Sequence, residues 1–189
     1  MQPHQASILA SPFLTLNVVD TALDAETNPT VRVQLLSAKV HLLETARETE
    51  RASTEDADHP ADAAGSPAAP AAAAAAAGPS PSPSPSPSLR LARVPDPTPL
   101  LSARILLADA YLALVPPNLV AAEAVCGAVE DECKRLMKRA RMRAAPAWMG
   151  DVPRLRVRGL RVLARVEERL GRGARAERSR KLADEIAAG

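Results

Sequence analysis

The sequence predicts an all-α protein, and three observations carry that prediction. Aromatic residues make up only 2% of the 189, with one Trp, one Tyr and one Phe. That is too few to line the inner faces of a β-sandwich, whose strands rely on aromatic and β-branched side chains. Ala, Leu, Arg and Glu are abundant instead, and these are strong helix formers. Apolar residues also recur at intervals of three and four along several stretches, which is the period of a helix with one buried face.

A first short helix is expected over 11–25, SPFLTLNVVDTALDA, with Ser11 as cap and Pro12 in the first helical position. Leu16, Val19 and Leu23 give it an apolar stripe. Asn28-Pro29 interrupts, and Thr30–Arg51 reads as a helix with Leu35, Leu36, Val40, Leu43 and Ala46 on its apolar face. From about Ser53 to Pro99 the chain holds seven consecutive alanines, 71–77, and alternating Pro-Ser from Pro79 to Ser88. Pro-Ser repeats offer nothing to bury and lack internal hydrogen bonds, so this segment is expected to be a disordered Ala/Ser/Pro insert. It serves either as a spacer or as a tether whose Ser-Pro sites accept phosphate.

Four helices are expected beyond it. Thr98–Val115 stops at Pro116-Pro117, since proline cannot continue a helix. Asn118 caps the next, which runs to Ala144 or Ala145 with Ala122, Val125, Cys126, Val129, Cys133, Met137 and Ala140 along one stripe. After the break AAPAWMGDVP comes a helix from Pro153 to Leu170, ended by Gly171-Arg172-Gly173. Ala174–Ala187 is the last. The organisation expected is an N-terminal helical hairpin over 1–52, a low-complexity linker over 53–97 and a helical domain over 98–189.

The segment LRVLARVEERLGRGARAERSRKLADEIA resembles a tetratricopeptide-type helix–turn–helix. The resemblance rests on Leu160, Leu163 and Ala164, on Leu170-Gly171 at the turn, and on Ala176 and Ala183. The preceding pair is similar, through Leu107, Ala108 and Tyr111, then Ala121, Val125 and Ala128. Covering residues 98–188, the resemblance implies a short array of antiparallel helical hairpins. It implies a scaffold that docks a partner helix or peptide in the groove of the stack. Glu167 and Arg180 depart from the pattern, which prefers large apolar groups there, and Pro116-Pro117 lengthens one turn.

One phrase is written almost twice, LLSAKVHLL at 35–43 and LLSARILLA at 100–108. It is either a recurring packing face split by the insert or a coincidence in a chain rich in Leu and Ala.

Little in the sequence points to catalysis. No GxGxxG, phosphate-binding lysine loop or GxSxG occurs. The three histidines, His4, His41 and His59, stand apart from any Cys or carboxylate at ligand spacing. Carboxylates come in runs, Glu130/Asp131/Glu132 and Glu167/Glu168, which read as helix surface. No catalytic residue, cofactor or metal site is therefore expected. Cys126 and Cys133 lie seven apart on one helix, hence ~10 Å apart, beyond disulfide reach. They are expected to be inert thiols of the core in a reducing compartment. Trp148 either pins its loop to the core or anchors an interface.

Charge supplies the functional expectation. Through residue 96 there are 6 Lys/Arg against 11 Asp/Glu, a net of −5, and from 97 onward 18 against 11, a net of +7. Arg154, Arg158, Arg161, Arg165 and Arg169 follow one another at spacings of four, three, four and four, so all five lie on one helix face. Upstream, KRLMKRARMR adds Lys134, Arg135, Lys138, Arg139, Arg141 and Arg143. With Trp148 these form the candidate partner-binding set. An acidic protein partner is expected, because guanidinium pairs well with carboxylate. The alternative is a nucleic-acid-associated protein, holding phosphates without aromatic stacking. No apolar run reaches the ~20 residues a bilayer span needs, and no basic leader precedes Arg32. A cytoplasmic or nuclear location is the expectation.

Overall fold

The computed structural model describes residues 15–57, 95–140 and 146–188. Among them the secondary structure is helical throughout: α1 (Leu16–Ala25), α2 (Pro29–Ala57), α3 (Thr98–Ala113), α4 (Leu119–Ala140), a 3₁₀ turn (Ala147–Asp151), α5 (Val152–Arg169) and α6 (Gly173–Ala188).

Local chemistry sets the boundaries. Helix α1 begins later than expected, where the Thr15 hydroxyl accepts from the Val18 amide; Ser11 and Pro12 lie outside the described residues. Asn28 Oδ1 accepts from the Thr30 amide at 2.9 Å while Pro29 takes the first position of α2. Helix α2 runs to Ala57, six residues past the expected Arg51 and into the stretch assigned to the insert. The reason is that RASTEDA contains neither Gly nor Pro to stop it. The remainder of the expected insert, 58–94, lies outside the described residues. Asn118 caps α4 as expected, accepting from the Ala121 amide at 3.1 Å. At the end of α5, Gly171 adopts φ 74°, and the Arg172 amide returns to the Glu167 carbonyl at 2.8 Å.

Each helix packs on the next in sequence, and α3 packs additionally on α5. The main core lies among α3, α4 and α5 and includes Leu101, Ile105, Cys126, Val129, Val152 and Val166. A second apolar cluster joins Val19 and Leu23 of α1, Leu36 of α2, and Leu107 and Ala110 of α3. A third seats α6 on α5 through Val157, Leu160 and Ala183. Small residues allow these approaches: a Cβ built on Gly159 would stand 3.0 Å from Val129 Cγ1, so α4 and α5 cross where α5 has no side chain.

The repeated phrase now has a location. Its two copies lie on packed neighbours, α2 and α3, which run antiparallel: Leu36 clusters with Leu107 and Ala110, while Leu43 and Leu100 line one pocket. Leu36 and Ala38 of the first copy are buried, as are Leu101 and Ala103 of the second. The basic residue of each copy reaches back to the preceding helix, Lys39 to Asp20 of α1 and Arg104 to Glu44 of α2. Both copies thus present the same buried Leu-x-Ala edge and the same backward ion pair.

Candidate functional site

The arginine row occupies the outward face of α5. Arg154, Arg158, Arg161, Arg165 and Arg169 are all exposed, while Leu155, Val162 and Val166 point into the core. The face is set by register: residues three and four apart share a side of a helix, so the apolar positions leave these five in solvent. Their surroundings divide them. Arg165 pairs with Asp109 of α3, and Arg169 donates to the Leu112 carbonyl at 2.8 Å, satisfying an orphan acceptor at the end of α3. Arg161 reaches Asp184 of α6 at 3.5 Å, and Arg154 reaches Asp151 at 3.8 Å with 86% of its side chain exposed. Arg158 has no ion pair among the described residues.

The upstream cluster lies apart from the row. Lys134, Arg135, Lys138 and Arg139 are exposed near the end of α4, with Lys134 turned to Glu130 at 3.3 Å and Arg135 to Glu132 at 2.6 Å. Arg141 and Arg143 lie outside the described residues. Trp148, in the 3₁₀ turn, is half-buried against the main core, the packing alternative of the two expected for it.

The carboxylate runs are not plain helix surface. Glu132 and Glu167 are only 5% and 2% exposed. Glu167 Oε2 accepts from the Ser179 hydroxyl at 2.8 Å, and Oε1 meets Arg175 Nε at 3.2 Å. Glu132 lies between Arg47 of α2, at 2.7 Å, and Arg135. Glu130 receives both Nε and a terminal nitrogen of Arg156, at 2.9 and 2.6 Å. Burying a carboxylate is tolerable only with such partners. The first and last of three consecutive acids stand about 200° apart around a helix, so a helix covered by neighbours on several sides must bury some of them. Arg156 escaped the sequence reading of the row. Its signal was phase: one residue after Leu155, it falls on the apolar side of α5.

Burial pushes Glu130 and Glu132 upward, but the hydrogen bonds and charges of their arginines outweigh it. Arg156 with Lys134 acts on Glu130, and Arg47 with Arg135 and Arg104 on Glu132, leaving both below the ordinary carboxylate range. The thiols go the other way. Burial, aided by the charge of Asp109, pushes Cys126 up to about 12, and burial with Glu130 does the same for Cys133. Both are the core thiols the sequence implied. Neither is expected to react with a disulfide reagent at about pH 8 before the protein unfolds; prompt titration of either thiol in native buffer would contradict the packing of α4.

Among the described residues, no group of three or more His, Cys, Asp or Glu could hold a metal ion. His41 is exposed on α2. No described helix is long and apolar enough to cross a membrane. Comparison with protein-family models, with curated proteins and with solved structures found no match.

Proposed function

We propose that the chain is a protein–protein interaction scaffold, a short array of tetratricopeptide-like hairpins (α1–α2, α3–α4 and α5–α6) that docks an acidic helix or peptide and acts by binding rather than catalysis. The observation that carries this reading is the exposed arginine face of α5 beside α3. The packing order is consistent with stacked hairpins: consecutive helices pair, and α3 meets α5 directly. Cations on the open face steer an acidic partner toward it and fix its register.

The competing reading is nucleic acid. Phosphate contacts alone would carry it, because bases have almost no aromatic side chains to stack on. Affinity capture with the wild-type chain and with Arg154, Arg158 and Arg161 all changed to Glu separates the two. Under the scaffold reading, acidic proteins are captured by the wild type, survive nuclease treatment and are lost with the variant. Capture that vanishes with nuclease would overturn it. So would direct binding to a DNA or RNA duplex with steep loss as salt rises.

A further inference from the structure

The arginine row is not one surface. Its C-terminal half, Arg165 and Arg169, is committed to α3 through Asp109 and the Leu112 carbonyl. Its N-terminal half is open: Arg158 unpaired among the described residues, Arg154 and Arg161 held only at 3.8 and 3.5 Å by carboxylates that are themselves exposed. Exposed pairs at such distances contribute little and exchange readily for a better partner.

The two ties also fix how α3 lies against α5. Their sequence offsets are 56 and 57, nearly constant, so the helices run parallel and in step. The same offsets place Leu106 level with Val162 and Leu163, just past Arg161, and Ser102 level with Arg158 and Gly159. Leu106 is 37% exposed, one of four large apolar side chains left in solvent among the described residues. An exposed apolar side chain therefore stands, along the helix pair, just past Arg161 at the inner end of the open arginines.

Resting on the scaffold reading, we infer that the docking site is the open half of the row, Arg154, Arg158 and Arg161 with Leu106 of α3. Its occupant is a helix carrying carboxylates at intervals of four and three, with an apolar residue beside them. The interval follows from the row: cations spaced four and three along one helix are matched by acids spaced likewise along another. Arg165 and Arg169 are structural and do not take part.

The probe is a fluorescent, alanine-based helical peptide with Glu at i, i+4 and i+7 and one Leu on the adjoining face. Its control carries Gln at the three positions. Anisotropy titrations against the full chain should show the Glu peptide binding at least about tenfold more tightly than the Gln peptide. Arg158→Glu/Arg161→Glu and Leu106→Lys should each lose about tenfold or more, while Lys134→Glu/Lys138→Glu and Arg178→Glu/Lys181→Glu bind like wild type. Circular dichroism on every variant establishes that helix content is retained. If the peptide binds but is lost with the α4 or α6 variants instead, the location is wrong and the scaffold reading stands. If the Glu peptide binds no better than the Gln peptide while a duplex binds, both fall.

Discussion

Leu101→Ala is expected to destabilise the protein by about 3 kcal/mol and to lower the melting midpoint by roughly 10 °C. Leu101 is fully buried in the core shared by α3, α4 and α5. Its removal leaves a cavity walled by three helices, none of which can move inward without unpacking from the others. Leu36→Ala, the matching change in the first copy of the repeated phrase, should cost less, about 2 kcal/mol. Leu36 belongs to the smaller cluster with α1, and α1, a single ten-residue helix, is free to settle into the space. Because the two leucines belong to separate clusters, the double variant should lose the sum of the two within about 0.5 kcal/mol. Urea unfolding of the three variants tests this. A loss below about 1 kcal/mol for Leu101→Ala would mean that the three-helix core is not packed as described.

How far this was readable beforehand depends on what each feature answers to. The apolar stripe of α4 was visible because Ala122, Cys126, Val129 and Cys133 obey a purely local period. So were the Asn118 cap and the glycine stop at Gly171, each a matter of a few adjacent residues. The outward face of the arginine row was legible for the same reason. Its division into a tied and an open half was not, since Asp109 and the Leu112 carbonyl belong to another helix more than fifty residues away. The buried carboxylates were misread on similar grounds. Glu132 belongs to an acidic run in sequence, and only the position of Arg47, 85 residues earlier, explains its burial. Periodicity reports which side of a helix is covered; it does not report what the covering helix carries.

That junction is where the second large effect is expected. Glu132→Gln should cost about 2 to 3 kcal/mol at neutral pH. The guanidinium of Arg47 is mostly buried, with 16% of its side chain exposed, and its Nε has no hydrogen-bond partner among the described residues. Neutralising Glu132 leaves that cation in a site with little water. Arg135, 66% exposed, is solvated and adds little to the cost. Replacing both Arg47 and Glu132 by Met should be close to neutral, within about 1 kcal/mol, because the pair's attraction largely offsets its desolvation. Acid should reproduce the single change. The carboxyl of Glu132 titrates below its unfolded value, so its contribution is complete above the unfolded pKa of about 4.3. It is lost as pH falls through the lower, folded pKa. The stability gap between wild type and Glu132→Gln should accordingly be constant from about pH 7 to 5 and close below about pH 4. Unfolding free energies measured across that range decide it: a gap that persists unchanged in acid would show that lost packing, not charge, accounts for the variant.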